Sequence, residues 1–271
     1  MSAWRTRSDL VRGLRDALGL SAGDLIAVHS SMKSLGPVHG GASTVIAALL
    51  EAVEAPACGT VLMPCFTHPL DEVDVARTPC RLGLIPETFR TWPGVRLSDN
   101  HTHRVAVFGR EAEAIAASHV GTAPLGPGSP LHQLALRGGS VIHLGCDFRS
   151  CSLIHVAEFL APLPFHAAGI AYPDWDKDIV MIRGDGTRVV CPPIDNPGDS
   201  AGFLVVQRDL ERRGLLHRAD VGSAACLRAR GSDILDSALA ILAEDPLALL
   251  CADHACPVCG RKRQAANAGR L

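Results

Sequence analysis

His155 and Glu158 stand three residues apart in the run Cys-Ser-Leu-Ile-His-Val-Ala-Glu that begins at Cys151. On a helix that spacing puts both side chains on one face. Imidazole is the side chain best suited to take a proton near neutral pH, and a neighbouring carboxylate orients the ring and stabilises the imidazolium. Ser152, just ahead of the pair, is placed to hydrogen-bond or polarise a carbonyl. The same spacing also fits a hydrogen-bonded core histidine or a surface His–Glu pair, so it does not by itself assign a base.

A second stretch, residues 28–44, reads Val-His-Ser-Ser-Met-Lys-Ser-Leu-Gly-Pro-Val-His-Gly-Gly-Ala-Ser-Thr. It has the form of a strand, a polar turn, a Gly-Gly pair and the start of a helix. Hydroxyls and free backbone N–H groups converge there near a helix N-terminus, where the dipole favours an anion such as a phosphate or pyrophosphate. Glycine turns ahead of helices are common, and the bland alternative is an ordinary strand–helix connection.

Ten cysteines are present. Cys58, Cys65, Cys80, Cys146, Cys191 and Cys226 are scattered and read as small buried hydrophobes. Near the C-terminus, Cys251, His254, Cys256 and Cys259 cluster around Cys-Pro-x-Cys-Gly, a turn that points two thiolates at one ion. Structural zinc fits, with Cys251 as a third ligand and His254, Asp253 or a distant cysteine as the fourth, and free thiols are the alternative because no second Cys-x-x-Cys pair accompanies the first. A zinc-held tail could also serve a homodimer or another partner contact. The chain has no His-x-Glu, which disfavours a zinc deaminase. Asp71, Glu72 and Asp74 form a small acidic group, either a cation-binding face or a solvated loop.

These side chains need a scaffold. Thr6 and Asp9 read as a capping signal before a helix carrying Leu10, Leu14 and Leu18. Short apolar runs at 24–29, 61–66, 105–108 and 141–144 read as strands. Helices are expected at 42–53, 86–92, 111–118, 152–160, 200–213 and 233–244. Residues 121–130 read as loop, and 179–182 with 187–190 as a hairpin. Strands alternating with helices, followed by a hairpin, predict an α/β fold: a three-layer-like single domain with a central mixed sheet flanked by helices. Residues 1–250 would form that domain, and 251–271 a Cys-rich tail, polar beyond Cys259 and without an apolar period.

At 271 residues with 47% hydrophobic and 20% charged content, the chain can bury a large core. A net charge of −2 argues against a nucleic-acid partner. No apolar run reaches the roughly 18 residues of a membrane span, and the start lacks a signal-peptide stretch, so a cytoplasmic enzyme is expected.

Taken in order along the chain, these pieces resemble the aminoglycoside 3-N-acetyltransferase family. The run from His29 to Thr44 is similar to the family's His-Ser-Ser…Gly…Gly-Gly-Ala opening. Residues 61–64, 83–90, 102–107, 126–130 and 152–159 follow collinearly, as does the region 221–242, so that the resemblance spans roughly residues 5–246. It implies acetyl transfer from acetyl-CoA to an amine of an aminoglycoside or related amino sugar. It further implies that His29, Ser30, Ser31, Met32, Gly36, Pro37, Val38, Gly40, Gly41 and Thr44 bind the CoA pantetheine and pyrophosphate, with Thr102 and His103 approaching the cofactor. His155 would deprotonate the attacking amine, supported by Glu87 or Glu158. Asp71, Glu72 and Asp74 are candidates for holding the ammonium groups. Where the family reads His-Pro-Thr-His-Ser, this chain has Asn-His-Thr-His-Arg over 100–104. Arg104 is then expected as a CoA phosphate clamp. The alternatives are a non-catalytic CoA-binding protein on the same scaffold and an N-acetyltransferase for another biosynthetic amine.

Overall fold

Seven strands build the central sheet: β1 (Leu25–Ser30), β2 (Thr60–Pro64), β4 (Arg96–Leu97), β5 (Val105–Gly109), β6 (Ser140–Leu144), β9 (His217–Val221) and β10 (Ala224–Arg230). Their order across it is β4-β5-β2-β1-β6-β10-β9. A second sheet holds β3 (Glu72–Asp74), β7 (Ile179–Ile182) and β8 (Arg188–Cys191), in that order. The computed structural model describes residues 4–68, 70–119, 123–170, 176–194, 199–253 and 255–268.

The parallel heart of the sheet is β2-β1-β6, flanked by antiparallel neighbours on both sides. β1, β2 and β6 are almost wholly buried because helices cover both faces, which explains their continuous apolar sequence. After β1 the chain enters α2 (Gly41–Ala52), whose buried side packs with Leu10, Leu14 and Ile26 on one face. After β6 it enters α6 (Ile154–Leu160), packed with Phe148, Phe203 and Ile234 on the other. The helices that follow β1 and β6 lie on opposite faces of the sheet, and the carboxyl ends of such neighbouring strands are where ligands bind in open α/β sheets.

Local signals account for most of the remaining elements. Thr6 and Asp9 form the expected capping box ahead of α1 (Arg7–Arg12), with Asp9 N–H donating to Thr6 Oγ1 at 3.2 Å. That first helix continues as a wider turn over Gly13–Ala17. Helix α3 runs over Leu84–Arg90, starting two residues before the position expected from Pro86. α4 occupies Ala112–Ala117, and Pro130, expected at the end of a loop, opens helix α5 (Pro130–Leu136). α7 (Leu204–Arg212) and α8 (Gly231–Glu244) match the two expected C-terminal helices, α7 with a 3-10 turn ahead of it.

Two features lie beyond the local sequence signals. The β9–β10 hairpin escaped detection because β9 reads His-Arg-Ala-Asp-Val and lies at the sheet edge, with only Val221 buried. The packing of the Cys-rich tail is the other. That tail forms α9 (Cys259–Ala268), and Cys251, Cys256, Val258, Cys259 and Ala266 belong to the same core cluster as α6 and α8. A polar helix that buries one narrow side has little apolar period to read.

Candidate active site

Helix α6 supplies the expected His–Glu face. His155 Nδ1 lies 2.6 Å from Glu158 Oε2. The carboxylate only accepts, so Nδ1 carries the proton and Nε2 keeps its lone pair for a substrate proton. The His155 ring packs edge-on against Phe203, centroids 4.7 Å apart. Burial pushes the Glu158 carboxyl up, while the His155 hydrogen bond and the charges of His155 and Lys262 pull it partly back. Lys262 comes from α9 and is itself buried, its Nζ 4.7 Å from the Phe165 ring centroid. Nothing in the polar sequence of that tail flags Lys262 as a buried neighbour of the pair. Ser152 is buried one turn earlier, and its carbonyl accepts the His155 N–H.

Glu87, the other glutamate considered for His155, is engaged elsewhere. It takes a bidentate fork from Arg90 at 2.6 and 2.7 Å and caps the Cys80 N–H at 2.6 Å. Burial raises its carboxyl, but these donors outweigh it and leave Glu87 below the ordinary value. Glu158 is therefore the partner of His155.

The turn after β1 joins the strand to α2 through a network of its own hydroxyls and glycines. Ser30 ends the strand and Ser31 N–H donates to Leu144 O at 2.8 Å, tying the turn to the end of β6. Ser34 Oγ donates to Ser31 Oγ at 2.9 Å, and Met32 packs on the α2 side of the core. Gly145, just past β6, closes against this turn so tightly that a Cβ there would meet Ser34 Cβ at 2.4 Å. Gly36 turns the chain at φ 75°, and Pro37 and Val38 are bridged to Arg5. Gly40 caps α2 at φ 76°, with Thr44 Oγ1 only 2.5 Å from where a Cβ would sit. Only glycine fits that position; Gly41 N–H donates to Val38 O at 3.0 Å, and the N–H groups of Ala42 and Ser43 lie in the first turn, where a helix start has no acceptor of its own and suits an anion.

The segment at 100–104 meets α6 from the other side. Asn100 Oδ1 accepts from the N–H groups of Thr102 and His103 at 3.0 and 2.7 Å, and from Thr102 Oγ1 at 3.1 Å. Thr102 Oγ1 in turn accepts from His103 Nδ1 at 2.8 Å, which leaves His103 Nε2 as an acceptor. Phe66 meets the His103 ring edge-on at 4.3 Å. Burial, and then the nearby His155, push the His103 imidazole well below its usual value, which favours its neutral form.

Arg104 departs from its expected role. Its guanidinium is fully buried and turned inward, donating to the carbonyls of Cys65 at 3.1 Å, Asp74 at 3.2 Å, Val75 at 2.7 Å and Thr78. It anchors the connection between the two sheets, and a side chain so enclosed is not a clamp for a CoA phosphate. The acidic trio stands on and beside β3. Asp71 pairs with Lys177 and Glu72 with Arg188, while Asp74 Oδ1 caps the N–H groups of Ala76 and Arg77. These carboxylates have partners within this chain, Asp71 and Glu72 through exposed ion pairs. Of the residues expected to hold zinc, Cys251, Cys256 and Cys259 bring their sulfurs within 4.8 Å of one another, and His254 lies outside the described residues.

Comparisons with known proteins agree with this geometry. The family model for aminoglycoside 3-N-acetyltransferase matches residues 27–243. Aminoglycoside N(3)-acetyltransferase VII of Streptomyces paromomycinus is 31% identical, covering 88% of this chain and 92% of its own length. Aminoglycoside N(3)-acetyltransferase IV of a Salmonella species is 30% identical over 91% of this chain and 90% of its own. The crystal structure of aminoglycoside acetyltransferase AAC(3)-IVa superposes with a TM-score of 0.85 at 29% identity, covering 98% of this chain and 99% of that one. A variant of the same enzyme in complex with a gentamicin matches equally well. A chain matched over most of its length by the family model, and by relatives of near-equal length, belongs to the aminoglycoside 3-N-acetyltransferase family.

Proposed function

We propose that this enzyme transfers an acetyl group from acetyl-CoA to the 3-amino group of an aminoglycoside or related amino sugar. The observation that carries the reading is the 2.6 Å contact between His155 Nδ1 and Glu158 Oε2, which directs Nε2 toward taking a proton; the glycine-capped start of α2 suits a pyrophosphate. Acetyl-CoA supplies an activated thioester carbonyl; the protein supplies position and proton transfer.

Residues 29–44 would hold the pantetheine and pyrophosphate through hydroxyls and helix-end N–H groups. His155 Nε2 takes the proton from the acceptor ammonium as nitrogen becomes nucleophilic. Glu158 holds the ring in one tautomer and balances the imidazolium; burial raises its carboxyl, and the His155 contact first, then the Lys262 charge, favour its ionised form. Ser152 and the Thr102–His103 pair line the approach and exclude water. The reaction needs no nucleophilic side chain, because the amine attacks the thioester directly. Asp71, Glu72 and Asp74 would contact acceptor ammonium groups only by exchanging Lys177 and Arg188 for them. Acetyl-CoA consumption over a panel of aminoglycosides and amino sugars tests the reading; dependence of thiol release on such an acceptor supports it, and its absence across the panel excludes it.

Cys251, Cys256 and Cys259 would hold a structural zinc at the base of α9, supported by their clustering and by the Asp199 N–H donating to Cys259 Sγ at 3.3 Å. The ten free cysteines fit a cytoplasmic enzyme, where thiols stay reduced.

A further inference from the structure

His29 and His143 are register partners on the parallel strands β1 and β6, so their side chains leave the same face of the sheet. The two rings stack at 5.2 Å, and Phe148 stacks on the far side of His143 at 4.7 Å. His143 and Cys151 are completely buried and His29 is 7% exposed. His29 Nε2 and both ring nitrogens of His143 have no hydrogen-bond partner. One ligand atom from each of His29, His143 and Cys151 lies within 4.8 Å of the other two.

Three orphaned imidazole nitrogens around a thiol are a costly way to fill a core. Each unsatisfied buried polar group costs desolvation energy, and an apolar side chain would avoid the penalty. Donor atoms on one tetrahedral ion bonded at about 2.0–2.3 Å lie about 3.3–3.8 Å apart, so the three, already within 4.8 Å, would draw together by at most about 1.5 Å as the rings turn toward a shared ion. Two imidazoles and one thiolate form a borderline-soft donor set that suits zinc better than calcium or magnesium, which take oxygen.

We propose that His29, His143 and Cys151 form a second metal site, distinct from the tail cysteines, that binds one zinc ion through two imidazole nitrogens and one thiolate. Binding replaces the Cys151 S–H bond with a sulfur–metal bond and releases that proton to solvent. The ion would pin three segments together: the end of β1 where the CoA turn begins, the end of β6, and the start of the run leading to His155. The proposal does not depend on the acceptor or on the acetyl-transfer reading.

The test is metal content of the full-length protein purified without chelator and reconstituted with Zn²⁺. In a Cys256→Ser/Cys259→Ser background, about one zinc per chain should remain and be lost on His143→Leu. Replacing Zn²⁺ by Co²⁺ in that background should give a thiolate charge-transfer band that disappears in Cys151→Ala. If the tail variant does not fold, His143→Leu in the otherwise native chain should lower zinc content by about one per chain. The Zn²⁺-dependent rise in Tm should also be lost from His143→Leu, while Tm in EDTA rises because the orphaned ring is gone. Zinc content that His143→Leu leaves unchanged, or a tail variant that is folded but free of metal, overturns the proposal.

Discussion

His155 Nδ1 and Glu158 Oε2 meet at 2.6 Å across one turn of α6, with the Glu158 side chain only 2% exposed. A carboxylate so placed fixes which ring nitrogen is protonated. Glu158→Gln can donate to Nδ1 and turn the lone pair away from the substrate, so kcat should fall by about 10²–10³-fold with little change in acetyl-CoA affinity. Glu87→Gln should leave kcat essentially unchanged and cost stability instead, because Glu87 holds Arg90 and the Cys80 N–H. Steady-state kinetics on both variants separates the two glutamates.

Lys262 couples the tail helix to that pair. Removing its charge favours the protonated state of the His155–Glu158 unit. Lys262→Met should therefore move the acid limb of the kcat/KM profile to higher pH, with Lys262→Arg restoring most of it. A purely structural role would lower activity at every pH without moving the limb.

Much of this site can be read in the sequence. The Thr6–Asp9 box, the buried strands at β1, β2 and β6, and the Gly-Gly entry to α2 are all local signals, and each forms where its residues predict. His155 and Glu158 share a face because helical spacing requires it. Lys262 is different: its approach to Glu158 depends on how α9 docks about 100 residues later, and no local pattern encodes that. Arg104 shows the same limit from the other side. An arginine in a cofactor-like motif suggests a phosphate, but the carbonyls that capture it come from residues 65–78, brought close only by the fold. The His29–His143 juxtaposition likewise arises from strand pairing between segments far apart in sequence.

Arg104→Met leaves several buried carbonyls without a donor. It should cost about 3 kcal/mol or more, measured by urea unfolding. In the protein that still folds at low temperature, KM for acetyl-CoA should match the parent. A phosphate clamp would show the reverse: a raised KM with stability intact.

Gly40→Ala forces a Cβ toward Thr44 Oγ1 at a φ of 76°. The backbone strain alone is about 1–2 kcal/mol, and the displaced helix start should weaken CoA binding by about tenfold. Calorimetric titration of CoA checks this, with Gly41→Ala as the companion position at φ 62° that meets no atom within 4 Å.

Acid should destabilise the fold before the carboxylates titrate. His119 is buried between Ser98 Oγ at 2.7 Å and Pro124 O at 2.8 Å, and burial lowers it to about 4; His101 is likewise lowered to about 4. The unfolded chain takes up these protons near the ordinary value of 6.5 and the folded chain does not. Stability is therefore fully present above about pH 6.5 and is lost as pH falls toward 4, by roughly 3 kcal/mol per such histidine at most. His119→Gln should flatten that slope in urea midpoints measured from about pH 7 to about pH 4.5.

The most direct measurement is acetyl-CoA-dependent acetylation of an aminoglycoside by His155→Ala beside the parent enzyme, with CoA affinity and Tm measured on the same samples. Removal of the base should lower kcat by about 10²–10⁴-fold while CoA binding and folding are retained. A folded His155→Ala protein that turns over at nearly the parental rate would contradict the assignment of His155 as the group that takes the amine's proton.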